Sequence, residues 1–349
     1  MDADTVKSLA RETGFDLVGI TSTGPTLAAA FYPEWLAAGY HGEMSYLEGH
    51  RGGLRSEARQ LLASAKSLIS LGLIYDTRQP YTPDVEFTSQ AWVSRYAWGD
   101  DYHDVVRRLL YQLVERIEKQ TGPFEHKVCV DTAPLLERAY AAQAGLGWIG
   151  KNTCLINEKI GSWVFLGEIL TSLELAFDDP APFRCGTCTR CIDACPTDAL
   201  VPIAQTAGPS HALDSTKCIS YWTIELHGPI PEDDRPGLGP HVFGCDICQD
   251  VCPWNRRAPQ TDRPDFQPRN ALPELEELAI LTEDEFNERF ADSPIERSRY
   301  RGFLRNVAVA MGNSGNRDFL PLLEKLAANA DPLIQEHARW AIEEIGAIE

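Results

Sequence analysis

The chain of 349 residues has no apolar run of the ~18–20 residues that cross a bilayer. Its longest candidate, 61–75, is interrupted by Lys66. Basic residues are also scarce. There are 32 Lys and Arg against 51 Asp and Glu, a formal charge of −19. Such a surface repels polyphosphate in general, so a nucleic acid can be held only at a local basic patch. The start, Met1-Asp2-Ala3-Asp4, is acidic where an export leader is basic, and it carries no twin-arginine signal. Export is therefore not expected, and a cytoplasmic protein without a membrane partner is. Compositional bias is missing too. With 44% hydrophobic and 24% charged residues, the composition excludes a disordered or fibrous chain and leaves room for two or three domains.

What stands out is cysteine. Eight of the 10 cysteines lie between Cys185 and Cys252. Disulfides are the wrong reading for a long chain that is not exported, and clustering of this kind points to metal. Cys185-x2-Cys188-x2-Cys191-x3-Cys195-Pro196 has the bacterial ferredoxin spacing, in which three thiolates wrap one cubane and the fourth serves another. A second half follows as Cys218, then Cys245-x2-Cys248-x3-Cys252-Pro253, its first ligand displaced by an insertion. Crossing the fourth ligands gives Cys185, Cys188, Cys191 and Cys252 for one 4Fe–4S cluster. Cys195, Cys218, Cys245 and Cys248 then hold the other. Structural zinc needs no second copy of such a run. Cys129 and Cys154 fall on predicted strands and read as buried free thiols.

Around this motif the texture changes twice. Over 1–177, helical and strand patterns alternate as in an α/β domain. Helices are expected at 5–13, closed by Gly14, and at 104–120, where Val105, Val106, Leu109, Leu110, Leu113, Val114 and Ile117 share a face. Strands are expected at 15–20, 67–75, 128–131, 153–157 and 163–171, with Pro134 opening a helix. A ferredoxin-like domain over 178–258 has loops at 202–210 and 228–240. A proline-spaced linker then leads to a small α-helical, HEAT-like repeat over 259–349, with helices at 302–312 and 331–345. Two clusters alone could make an electron carrier, but the first domain is larger than a carrier needs.

Stretches outside the cysteines resemble the epoxyqueuosine reductases. They are Ser94-Arg95-Tyr96-Ala97-Trp98-Gly99-Asp100-Asp101-Tyr102-His103, Val130-Asp131-Thr132-Ala133-Pro134-Leu135-Leu136-Glu137-Arg138, and the glycine-rich Ala144-Gly145-Leu146-Gly147-Trp148-Ile149-Gly150-Lys151-Asn152-Thr153 running on to Gly161-Ser162-Trp163. Asp214-Ser215-x2-Cys218-Ile219-Ser220-Tyr221 and Arg301-Gly302-Phe303-Leu304-Arg305-Asn306 also match. The resemblance implies base-off cobalamin beside two 4Fe–4S clusters, tRNA with epoxyqueuosine at the wobble position as substrate, and removal of the epoxide oxygen as water. An external low-potential electron donor and a monomeric enzyme are expected with it. A cobalamin-dependent reductive dehalogenase is the nearest other enzyme class.

Under that resemblance Asp131 is the proton donor, its pKa raised in an enclosed pocket; from the residues alone it could equally cap the helix near Pro134. Asp101, Tyr102 and His103 line the substrate pocket, or Asp101 is an N-cap and Tyr102 core. Asp101-x-His103 is followed by Val106 where the histidine-ligand motif of other cobalamin proteins has glycine, so no protein histidine is expected on cobalt. The glycines of 145–150 lack a phosphate-loop arrangement and instead suit close approach to a cofactor. Arg55, Lys151, Asn152, Thr153, Ser162, Ser215 and Asp246 are candidate cofactor contacts. Arg297, Arg299, Arg301 and Arg305 form a local basic patch for tRNA phosphates.

Overall fold

The computed structural model describes residues 1–55, 57–204 and 210–347. Positions 205–209 of the expected 202–210 loop lie outside the described residues. The first region runs α1 (Ala3–Thr13), β1 (Leu17–Thr21), α2 (Leu27–Ala37), α3 (Gly49–Leu54), β2 (Ser67–Ile74), β3 (Trp92–Val93), α4 (Tyr102–Thr121), β4 (His126–Cys129), α5 (Glu137–Gln143), β5 (Trp148–Ile149), β6 (Leu155–Ile156) and β7 (Val164–Thr171). Asp2 caps α1 by accepting from the Thr5 N–H, and Gly14 ends it at φ 107, a conformation glycine adopts without a Cβ penalty.

The sheet order is β1-β2-β7-β4, and all three pairings are antiparallel. The first region thus alternates helices and strands as expected, but around an antiparallel sheet. Alternating helix and strand patterns do not encode direction, and connections this long can return in either sense. The sheet is covered on both faces. Ile69, Leu71, Phe165 and Ile169 pack with Val106 and Leu110 of α4, while Leu68 and Leu170 pack with Tyr140 of α5. A Cβ on Gly167 would lie 2.7 Å from Val106 Cγ1, which is how α4 comes so close to the sheet. Pro134 does not open a helix. Residues 131–135 are spent turning off the sheet, and α5 begins only at Glu137.

The cysteine-rich region contains α6 (Arg190–Asp193), β8 (Leu200–Pro202), β9 (His211–Leu213), α7 (Ile219–Ile224), α8 (Arg235–Leu238), β10 (His241–Phe243) and α9 (Ile247–Asp250). The tail follows with α10 (Leu275–Ala279), α11 (Glu283–Arg289), α12 (Arg299–Asn313), α13 (Leu320–Ala327) and α14 (Pro332–Ala347). These regions are not separate cores. Trp92 and Trp98, Trp222 and Phe243, and Phe303, Val307 and Ala341 share one apolar cluster, and β3 pairs in parallel with β10. The boundaries at 177/178 and 258/259 mark changes of local pattern, while packing crosses both.

Arg305 belongs to this seam, which corrects its assignment to tRNA. It is fully buried. Its guanidinium donates to the carbonyls of Leu226 (2.8 Å), Gly228 (2.6 Å) and Trp222, and Asn306 beside it donates to Thr223 O and Val242 O, each at 2.9 Å. A buried guanidinium is tolerated because its donors find carbonyls that would otherwise be orphaned.

Candidate active site

The eight clustered thiols fall into the two crossed groups. A cavity is lined by Cys185, Cys188, Cys191 and Cys252 together, with Lys151 and Trp254 on its wall. Cys218 lies near Cys195, and Cys245 and Cys248 near Cys218. Among the described residues no three ligating groups converge as tightly as one ion requires, whereas a cubane takes one thiolate at each of four separated corners. Burial first, then neighbouring thiols, pushes Cys191 up to about 11 and Cys252 up to about 12. Iron replaces those protons with metal bonds. Trp148 Nε1 and the Ala199 N–H each donate to a ligand sulfur, Cys185 and Cys195 respectively, at 3.4 Å. Such bonds favour the reduced cluster. Cys129 is buried as expected, while Cys154 is only partly so and lies against Cys248.

Next to the sheet a second constellation forms. Asp101 caps α4 by accepting from the His103 N–H (2.9 Å), and the same oxygen meets His103 Nδ1 at 2.7 Å. Asp101 is therefore the N-cap of α4 and also the partner that orients His103. His103 Nε2 lies 3.2 Å from Asp131 Oδ2. The imidazole is stacked on Tyr102 (4.1 Å), which stacks on Phe165 (4.5 Å), so its plane is set by the core. Asp131 follows β4 in a left-handed conformation, φ 44. It caps no helix: α5 starts behind Leu136 without a side-chain cap.

The proton does not sit where sequence reasoning put it. Burial alone raises the Asp131 carboxyl, but His103, Arg297 and Tyr102 outweigh it and hold Asp131 below its ordinary value. Burial lowers His103, yet the two flanking carboxylates carry it up to about 9. The resting site is thus an imidazolium between two carboxylates. Burial also pushes the Tyr102 phenol well up, so it remains a donor.

Several candidate cofactor contacts have other partners. Lys151 Nζ donates to Cys188 O at 2.9 Å and Asn152 Nδ2 to Cys248 O at 3.2 Å. Ser162 bonds Gln249 and Asn255. Asp246 is buried, accepting from Trp92 Nε1, Ser94 Oγ and the Arg95 N–H. These four fasten the cluster loops to the first region. Ser215 is buried beside its cluster, and Thr153, at φ 63, accepts from Arg138. Arg55 differs: it is 8% exposed, and its Nε has no partner.

Comparison with known proteins fits this geometry. A family model described as "Epoxyqueuosine reductase QueG, DUF1730" matches 55–132, and a "4Fe-4S double cluster binding domain" matches 184–255. The chain is 44% identical over 349 residues to an epoxyqueuosine reductase of Xanthomonas campestris, covering 99% of this chain and 96% of the relative. It is 45% identical to that of Pseudomonas aeruginosa, covering 99% of this chain and 94% of the relative. The chain belongs to the epoxyqueuosine reductase family. A crystal structure of an epoxyqueuosine reductase with an epoxyqueuosine-modified tRNA stem loop superposes with a TM-score of 0.86 at 31% identity, covering 98% of this chain and 90% of that one.

As a member of this family the chain is an oxidoreductase carrying two 4Fe–4S clusters, and among its described residues no helix is long and apolar enough to cross a membrane. The site also contains residues that sequence reasoning missed or misplaced. Arg297, exposed like its neighbours in the basic stretch, also reaches into this site. It bonds Glu225 at 2.6 Å and Tyr46 Oη at 3.1 Å, and reaches within 4.0 Å of Asp131. Its neighbours come from three distant segments, so no local pattern announced it. Of the arginine stretch, Arg297, Arg299 and Arg301 are exposed, Arg301 paired with Asp331 at 2.6 Å, and Arg305 alone is buried.

Proposed function

We propose that this chain reduces epoxyqueuosine in tRNA to queuosine, with the Asp101–His103–Asp131 chain managing the proton. Removing an epoxide oxygen as water consumes two electrons and two protons and leaves a carbon–carbon double bond. The two clusters deliver electrons singly. Cobalamin, bound base-off, would supply a low-potential centre able to act on carbon. Arg55 fits such a group, because a buried guanidinium with an orphaned Nε calls for an oxygen acceptor such as a corrin amide or phosphate.

The observation that carries the reading is His103 held between two carboxylates. Asp101 fixes the ring and its tautomer, and the protonated Nε2 faces Asp131, whose side chain is 45% exposed. Asp131 is the group that meets the epoxide oxygen, drawing on the His103 proton as that oxygen becomes basic. Arg297 steadies the carboxylate between turnovers. The HEAT-like reading of α10–α14 goes with tRNA binding at Arg299 and Arg301, and an external donor reduces the clusters of a monomeric enzyme.

The test is anaerobic turnover of epoxyqueuosine-containing tRNA with cofactor loading measured on the same sample. Asp131→Asn should retain both clusters and cobalamin and lose turnover by ~10²–10⁴-fold. Near-normal turnover at full loading would remove Asp131 from the role and leave Tyr102 or His103 as the direct donor.

A further inference from the structure

Behind Asp131 lies a pair of carboxyl groups, Glu168 buried and Glu137 partly so, that the reaction described above does not use. Glu168 sits on β7, directly across from Cys129 of β4 and Ser70 of β2, on the sheet face that α5 covers. It is 0% exposed. Its Oε1 accepts a 3.4 Å bond from Ser70 Oγ, and its buried Oε2 has no donor. The carboxyl of Glu137, the first residue of α5, reaches the Glu168 side chain within hydrogen-bonding contact. Two carboxylates in such contact cannot both stay ionised without a cation between them, so a proton is shared.

Glu137 has a definite task as well. Its Oε1 accepts the backbone N–H of Asp131. Asp131 is a non-glycine residue at φ 44, a conformation that persists only where its surroundings impose it. The Glu137 carboxyl is what imposes it on the N–H side, and the His103 contact does so on the side-chain side. We propose that Glu137 and Glu168 form a proton-sharing latch that holds Asp131 in its working turn, which makes Glu137 a positioning residue of the epoxide reduction. The proposal rests on Asp131 being the group that serves the epoxide oxygen.

The latch has a pH limit. The groups facing it are Asp131 from the loop, His103 and Tyr102 from α4, Cys129 from β4 and Ser70 from β2. Burial, and then the Asp131 charge, push Glu137 up to about 8; burial and Glu137 push Glu168 well above its ordinary value. When Glu137 loses its proton, a new negative charge faces the Asp131 carboxylate across the turn. The repulsion outweighs what the Asp131 N–H returns, so the turn loosens as pH passes about 8.

Two readouts on the holoenzyme test this without turnover. Infrared spectroscopy should show a protonated-carboxyl band that titrates near pH 8 in the wild type and is absent as a titrating signal in Glu137→Gln. Hydrogen exchange at the Asp131 amide should be slow in both and fast in Glu137→Ala. In turnover, Glu137→Ala should lose roughly 10²-fold through misplacement of Asp131. Glu137→Gln should recover most of that loss, because the amide still accepts from Asp131 and donates to Glu168. Its alkaline limb should move from about 8 toward the about 9 of His103. An unchanged carboxyl titration in Glu137→Gln, or wild-type exchange at Asp131 in Glu137→Ala, would overturn the latch. Because band and exchange are read without substrate, they judge the latch even if Asp131→Asn turns over normally, an outcome that would instead sink the role given to Asp131.

Discussion

His103 shows how one residue's surroundings set its chemistry. An isolated imidazole is half-protonated near 6.5; here Asp101 and Asp131 carry it to about 9. The sign of the linked stability follows. A raised folded-state pKa contributes fully below 6.5 and is lost as pH climbs through about 9, whereas the lowered carboxyls of Asp101 and Asp131 contribute above their ordinary 3.8 and fail as pH falls below it. Denaturation measured across pH should therefore show stability sloping down between about 6.5 and about 9, and His103→Gln should flatten that slope. A slope unchanged in the variant would place the alkaline titration elsewhere. The types and spacing of Asp101, His103 and Asp131 were legible in the sequence. The proton's location was not, because it depends on Arg297 and Tyr102 arriving beside Asp131 from other parts of the fold.

Among the elements, α12 illustrates how a charge pattern misleads. Its arginines read as one basic strip, but a helix turns successive residues to different sides. Arg305 faces inward and bonds carbonyls of the 222–228 segment, while Arg301 faces solvent. Arg305→Met should cost roughly 2–4 kcal/mol in chemical denaturation, since it leaves several buried carbonyls unpaired. Arg299→Ala should stay within about 0.5 kcal/mol. Comparable midpoints for the two variants would contradict the seam described for Arg305. In binding the order reverses. Changing Arg299 and Arg301 together to Ala should weaken tRNA affinity and reduce its salt slope by roughly one unit per lost phosphate contact. A salt slope equal to wild type would return both to ordinary solvated surface. Helix α4, by contrast, was read almost residue for residue, because all seven of its expected apolar positions are buried. A long amphipathic helix carries its own periodicity, whereas the five-residue turn at 131–135 carries none.

Across the whole molecule, the clusters and the shared core tie the regions to one another. Anaerobically reconstituted protein should hold about eight irons, and Cys218→Ala about four, since the first ligand set is complete without Cys218. Loss of both cluster signals in that variant would mean that the two thiol sets are not independent. The division of the eight thiols into two sets was legible in their spacing, which cubane chemistry demands whatever fold surrounds it, and Cys185, Cys188, Cys191 and Cys252 do line one cavity. The family was legible as well, because its motifs are contiguous. So were the long helices such as α4, whose apolar faces are periodic. The sheet's antiparallel sense and the single core joining Trp92, Trp222 and Phe303 emerged only on folding. Folding alone brought Arg297 beside Asp131 and placed Glu137 against Glu168. Those are contacts between residues far apart in the chain, and their energies depend on desolvation and on charges that meet only after folding, quantities that no local pattern encodes.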